Sequence, residues 1–463
     1  MPPVILWFRR DLRLADHPAL AAAVGSGQPV LAVYVHDETT PGAWAPGGAS
    51  RWWLHHALAA LAADLAAIGG QLVLRRGPYP AVIPALTAES GATSVHASLP
   101  VEPWARQAMR SVKAALPVPL VVHPGPLLHH PDKIRTQASR HFAVFTPFAR
   151  AFHAQGEVPP PQPAPARIQA HPAPSEALDD WRLLPRRPDW AGGLRAAWQP
   201  GEAGAQAALA AFMAGPARHY ATRRDYPGEV STSRLSPHLA FGSISPRQAW
   251  TAGGDKFRAE LLWREFSAHL LWHHQDLPET PLRPQFANMP WRDDPAALAA
   301  WQRGRTGIPI VDAGMRELWT TGWMHNRVRM IVASFLIKHL MIDWRHGEAW
   351  FWDTLVDADL AANAASWQWV AGSGADAAPY FRIFNPVLQG LKFDPEGSYV
   401  RAHVPELAAM PSRHVHAPWE APPGLRPAGY PAPIVDLAAG RQRALAAFAA
   451  LGNGGLEVPP VEG

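Results

Sequence analysis

Three stretches of this sequence carry side chains that are costly to place and useful for chemistry. In RAELLWREF (258–266), Glu260 and Trp263 stand three residues apart, on one face of a helix. A carboxylate beside an indole suits a pocket that stacks a flat ring and accepts its N–H groups. Taken alone, the piece reads first as an amphipathic helix with a half-buried Trp. In GWMHNRVRMIVASF (322–335), Asn326 and Met330 are four apart and share a face, with Arg327 and Arg329 on neighbouring faces. DADLAANAASWQWV (357–370) offers Asp357, Asp359, Asn363, Trp367 and Trp369. A buried arginine requires a carboxylate, and Asp357 or Asp359 could supply it. Structural ion pairs explain most such groups, but an amide, two carboxylates and two indoles crowded together favour a site.

Two weaker signals accompany these. TSRLS (232–236) places hydroxyls and Arg234 ahead of a helix, an arrangement that binds phosphate or simply caps the helix. Arg218, Arg223, Arg224, Arg258, Arg264, Arg327, Arg382 and Lys392 cluster in the same half of the chain. Most arginines are solvated decoration, yet these lie near aromatic candidates, as a groove tracking nucleic-acid phosphates would have them.

Composition narrows the classes. The 463 residues contain no Cys, which excludes disulfides, cysteine metal sites, iron–sulfur clusters and thiol catalysis. The formal charge of +4 is a mild hint of an anionic partner. Tryptophan is abundant, at 21 residues, a load that packing, stacking on bases or a cofactor, or electron transfer would each use. The start, MPPVILWFRRDLR, is not a signal peptide, and apolar runs such as Met330–Ile337 are too short to span a bilayer. A cytoplasmic, monomeric protein without membrane association is expected.

The elements that must position these residues fall into three parts. Residues 1–130 alternate apolar runs (Val4–Phe8, Val30–Val35, Leu72–Leu74, Ser94–Ala97, Leu120–Val122) with helical periods, the pattern of a doubly wound parallel α/β sheet. Ser50 is the expected N-cap of one of these helices, and Gly69-Gly70 its stop. FRRDLRLADHP follows the first strand where a dinucleotide site would carry G-x-G-x-x-G, so an ordinary site of that type is disfavoured. Residues 131–200, with VPPPQPAPARIQAHPAP, read as a linker, either a semi-rigid surface connection or a disordered spacer. Residues 201–450 are helical throughout and form a large all-α domain, with 451–463 as a tail.

FRRDLRLADHPAL, TSRLSPHLAFGSISPR, ELLWREF, TGIPIVDAGMREL, GWMHNRVRM, DADLAANAASWQW and DAAPYFRIFNP, in that order, resemble the photolyase/cryptochrome family over nearly the whole chain. The resemblance implies an α/β antenna domain, a linker and a helical domain holding FAD. It implies that Tyr220, Thr232, Ser233, Arg234, Leu235 and Ser236 line the FAD phosphates. Asn326, Arg329, Asp357, Asp359 and Asn363 would surround the flavin, with Asn363 beside the reactive nitrogen of the central ring. Glu260, Trp263, Met330 and Trp369 correspond to the pocket for a flipped pyrimidine dimer, and Arg224 and Arg327 to DNA contacts. Trp367, Trp344 and Trp291 match a tryptophan relay that reduces the flavin; packing would otherwise explain Trp344 and Trp291. Trp44, Trp52 and Glu102 are candidate contacts of an antenna pigment, a methenyltetrahydrofolate or a deazaflavin.

Within the family, Asn363, Trp263, and Asn326 with Met330 resemble photolyases that split cyclobutane dimers in UV-damaged DNA. Plant cryptochromes differ at the first two positions, and (6-4) photolyases carry histidines in the HNRVRM stretch. A signalling cryptochrome is the alternative reading, and a flavin oxidoreductase acting on a small molecule is a rival from another class.

Overall fold

The computed structural model describes residues 1–377 and 381–451. The 452–463 stretch and Ala378–Tyr380, inside DAAPYFRIFNP, lie outside them. By compactness the chain forms two units. The first gathers Met1–Arg218, Ser233–Gln275 and Val356–Ala361, and the second His219–Thr232, Asp276–Leu355 and the residues from Ala362 onward.

The first unit is built on five parallel strands, β1 (Val4–Phe8), β2 (Val30–His36), β3 (Leu72–Arg76), β4 (Val95–Ser98) and β5 (Leu120–His123), in the order β3-β2-β1-β4-β5. The central strand VILWF is buried at every position, as expected of a parallel strand covered on both faces. Helices α1 (Pro18–Gly25), α2 (Gly48–Ala67), α3 (Tyr79–Ser90) and α4 (Pro103–Ala115) make the crossovers. Helix α2 begins earlier than its sequence suggested: Gly47 is the N-cap, and Ser50 is buried inside the first turn. Gly69, at φ +85°, does mark the stop.

The loop after β1 carries buried charge where a dinucleotide site would carry a glycine-rich turn. Asp11 accepts from the Arg9 N–H at 2.7 Å and the Ser98 hydroxyl at 2.5 Å, and pairs with His17 at 3.1 Å. Burial alone would raise the Asp11 carboxyl; His17 and these hydrogen bonds outweigh it and hold the group well below the usual carboxylate range. Buried charge of the protein itself therefore stands at the carboxyl ends of β1 and β4. The same loop grips the first helical residues. The Leu12 N–H donates to the Phe241 carbonyl at 3.1 Å, and Arg13 to that of Gly242 at 3.0 Å. Trp53 of α2 meets His238 edge-on and stacks on Phe241. The early helical segments therefore pack with the α/β part.

The linker is structured. Its proline-rich stretch is tied to the sheet by main-chain bonds between Val30 and both Gln169 and His171, and between Glu176 and Leu74. Before it, Phe145–His153 forms helix α5. Phe142, Phe145, Phe148 and Phe152, spaced three to four apart, meet the Asp255–His273 helix and its neighbour Trp250. On that helix Glu265 is buried; it accepts the Leu128 N–H at 2.9 Å and lies 3.4 Å from Arg264. Burial pushes its carboxyl up to about 7, against the pull of Arg264 and the backbone N–H groups.

In the second unit, helices Pro309–Thr321, Asn326–Ser334, Trp344–Thr354 and Leu360–Ala371 surround buried Ile, Val, Leu and Trp side chains. A π-turn, Phe335–His339, extends the Asn326–Ser334 helix. No described helix is long and apolar enough to cross a membrane.

Two predictions follow from these contacts. Gly242 sits at φ +69°, and a Cβ there would lie 2.2 Å from the Arg10 carbonyl oxygen. Gly242→Ala is expected to cost about 2 kcal/mol or more, read as a lowered Tm by circular dichroism. For Glu265 the folded pKa of about 7 exceeds the unfolded 4.5, so the native state holds the extra proton in that window and stability falls as pH rises through it. Glu265→Gln should flatten the slope of Tm against pH between those values, removing on the order of 2–3 kcal/mol of pH dependence. An unchanged slope in the variant would show that the carboxyl ionises freely.

Candidate active site

The site residues fall in both units. In the first, Glu260 and Trp263 lie on one side of the Asp255–His273 helix, both half-buried, while Leu261, Leu262, Glu265 and Phe266 are buried. Lys256 approaches Glu260 at 2.8 Å, an i,i+4 pair. Trp263 stacks on Phe145 with centroids 3.8 Å apart and planes 3° from parallel, and meets Phe266 edge-on at 5.9 Å. The Val356–Ala361 stretch, carrying Asp357 and Asp359, is held by the Arg10 guanidinium, which donates to the Ala358 carbonyl at 2.6 Å. In TSRLS, Arg234 adopts φ +51° and lies 4.4 Å over the Trp198 ring, and the Leu235 N–H donates to Ser233 Oγ at 3.3 Å. The helix starting at Ser236 has no side-chain cap; its cap residue is Leu235. The reading of these hydroxyls as an N-cap therefore does not hold.

In the second unit, the HNRVRM helix is fixed at its start by His325. The His325 N–H donates to Glu317 Oε2 at 3.3 Å, and its ring accepts the Arg327 N–H at 3.2 Å. Burial lowers the imidazole to about 4, so it stays neutral and keeps an acceptor nitrogen for this cap. Tyr399 donates to the same Glu317 oxygen at 2.6 Å. Asn326 is exposed and Met330 half-buried, while Val328, Ile331 and Val332 face the core. Arg329 donates to the Met324 carbonyl at 2.7 Å. Arg327 pairs with Asp225 at 2.9 Å and lies 4.4 Å from the Phe393 ring centroid. Arg224 lies 5.4 Å over Tyr220, which is buried; Thr232 is half-buried. This unit thus brings Tyr220, Arg224, Arg327 and Lys392, 5.4 Å from Phe393, into an aromatic and basic cluster.

Asn363 gives the most specific local chemistry. It is nearly buried, and its Nδ2 donates to the Glu348 carbonyl at 3.0 Å. Only an amide nitrogen can face that oxygen, so the rotamer is fixed and Oδ1 is the pole left to accept a ring N–H, such as that of a reduced isoalloxazine. Trp367 is buried beside it in sequence, edge-on to Phe351 at 5.1 Å and to Trp301 at 6.3 Å. Gly347 makes room: a Cβ there would sit 2.1 Å from the Trp367 ring. Trp344 is buried, Trp291 packs against a core cluster that includes Phe286 and Met341, and Trp369 donates to the Asp376 carbonyl at 3.2 Å.

Of the antenna candidates, Trp44 is half-buried, Trp52 is enclosed edge-on to Trp53 and His56, and Glu102 faces Arg10 at 3.5 Å. Phe145, His325, Glu317 and Glu348 were not singled out from sequence. The Phe142–Phe152 spacing was the one signal available for Phe145. No group of three or more His, Asp or Glu among the described residues is arranged for a metal.

Two family descriptions match: "DNA photolyase" over residues 4–166 and "FAD binding domain of DNA photolyase" over residues 257–450. The chain is 48% identical to a deoxyribodipyrimidine photo-lyase of Agrobacterium fabrum, covering 97% of this chain and 98% of the relative. It is 36% identical to cryptochrome-1 of Arabidopsis thaliana, covering 94% of this chain and 68% of that protein. A crystal structure of a bacterial class III photolyase from Agrobacterium tumefaciens superposes with a TM-score of 0.92 at 48% identity, over 97% and 98% of the two chains. With such identity sustained from end to end, and with an FAD-binding domain in its helical part, this chain belongs to the DNA photolyase family.

Proposed function

We propose that this protein repairs cyclobutane pyrimidine dimers in UV-damaged DNA under blue light, as a deoxyribodipyrimidine photolyase with FAD as cofactor. The observation that carries the reading is the pairing, on one helix face, of an indole held flat with a carboxylate three residues before it.

The dimer must leave the duplex, at a cost of a few kcal/mol that is least for a damaged pair. Trp263, with Trp369 and Met330, gives it an apolar surface, worth about 1–3 kcal/mol per stacked base. Glu260 accepts from a pyrimidine edge, and Arg224 and Arg327 bind the flanking phosphates. Tyr220, Thr232, Ser233, Arg234, Leu235 and Ser236 hold the FAD phosphates. Asn326, Arg329, Asp357, Asp359 and Asn363 hold its ring system, with Asn363 accepting from the central ring. When bound and reduced, the flavin supplies the light-driven electron that opens the cyclobutane ring and takes it back. Trp291, Trp344 and Trp367 pass electrons inward to keep the site reduced. A second pigment, methenyltetrahydrofolate in this reading and a deazaflavin as its alternative, gathers light at Trp44, Trp52 and Glu102, where Trp44 is the more accessible of the two indoles. The protein acts as a cytoplasmic monomer.

Blue light on the flavin-loaded protein with dimer-containing DNA should restore intact pyrimidines, measured by loss of the lesion. Light with no loss of lesion would instead favour a sensory cryptochrome. Trp263→Ala should weaken binding of dimer-containing DNA by about 1–3 kcal/mol, roughly five- to 150-fold in Kd, with undamaged DNA little affected.

A further inference from the structure

The Phe145 ring covers one face of Trp263 and lies on the segment that joins the α/β part to the helical part. Parallel planes at this separation amount to a full face-to-face contact. Phe266, buried in the core, meets both rings edge-on at 5.9 Å, so three aromatic side chains form one rigid corner. Phe145 also borders an open groove of about 880 Å³, bounded further by Phe152, Trp250, Arg258 and Leu262. Were Phe145 removed, the groove would offer Trp263 room to tilt rather than a replacement wall.

We propose that Phe145 is a positioning residue for lesion recognition: its stack on Trp263 fixes the indole plane against which the flipped pyrimidine packs. The inference rests on the reading of Trp263 given above and deepens it by assigning the linker a share in specificity. A preset ring loses less freedom when a base stacks on it than a ring that must first be ordered. Covering one face with Phe145 also leaves the other as the indole's stacking surface.

The test compares wild type, Phe145→Ala, Phe145→Tyr, Trp263→Ala and the double variant as flavin-loaded proteins. Phe145→Ala should bind dimer-containing duplex about three- to tenfold more weakly. Undamaged duplex should be bound within about twofold of wild type, since phosphate contacts are intact. Repair per bound dimer and the flavin spectrum should not change, and Phe145→Tyr, which keeps the ring, should restore binding. In the Trp263→Ala background Phe145→Ala should add nothing, because the two act through one contact. Should Phe145→Ala fold poorly, Phe145→Leu keeps apolar bulk without a stacking face and is read the same way. Unchanged or tighter dimer binding by Phe145→Ala, an equal loss on undamaged DNA, or full additivity with Trp263→Ala would each overturn the assignment. Wild-type dimer binding by Trp263→Ala would instead remove the reading of Trp263 itself, and the buttress with it.

Discussion

The Asp255–His273 helix must bury one flank completely while Glu260 and Trp263 on its other side stay half-buried, and the 126–142 stretch answers to that requirement. Its buried flank carries a carboxyl, Glu265, among Phe266, Leu262 and His269. An unsatisfied carboxyl there would cost several kcal/mol, so the chain brings the Leu128 N–H to it and keeps it substantially protonated near neutrality. Arg264, one residue earlier, donates to the Pro126 carbonyl at 2.7 Å and binds the end of the α/β part to the same turn. His269 accepts the Phe142 N–H at 3.1 Å and so fixes the approach to α5. With the rear of the helix held at three levels, Glu260 and Trp263 on its other side have a defined setting.

That setting was only half legible in the sequence. Alternating apolar runs and helical periods locate β1 to β5 and α1 to α4, because hydrophobic periodicity is a local property. Glu260, Trp263 and Asn363 could be picked out because their residue types are unusual for their spacing. The partners that orient them could not. Phe145 lies 118 residues before Trp263, and nothing in a linker stretch announces a stack with a helix that follows much later. The Glu348 carbonyl that turns Asn363 is main chain and leaves no residue-type signal at all. Ser50 shows the converse: a favourable capping residue is overridden when Gly47 starts the helix earlier and the serine side chain is buried.

Family membership does not by itself separate repair from light sensing, since proteins of both names match nearly the whole of this chain. In the function proposed above, the separation rests on a few side chains. Trp263 would give a base something to stack on, and Asn363 would offer an uncharged acceptor where an aspartate would carry charge next to a reduced ring. Met330 would supply polarisable apolar surface where a histidine acid would serve a different bond-breaking reaction. In that reading each choice favours an uncharged, stacked pyrimidine pair beside a reduced flavin.

Two charged groups of the proposed site, Glu260 and Arg327, each form an ion pair with an exposed partner. Glu260 faces Lys256, whose side chain is 47% exposed, and an exposed pair of this kind contributes about 0–1 kcal/mol. Arg327 faces Asp225, itself 36% exposed, so in its proposed role the exchange of that carboxylate for a DNA phosphate would cost little and would release counterions from the duplex. Asp11, at the carboxyl ends of β1 and β4, shows the opposite design, with a strongly lowered pKa. Asp11 is fixed by buried partners that hold its charge in place. In the proposed site, Glu260 and Arg327 instead rest in contacts that water already loosens, so that binding would replace a weak partner with a better one.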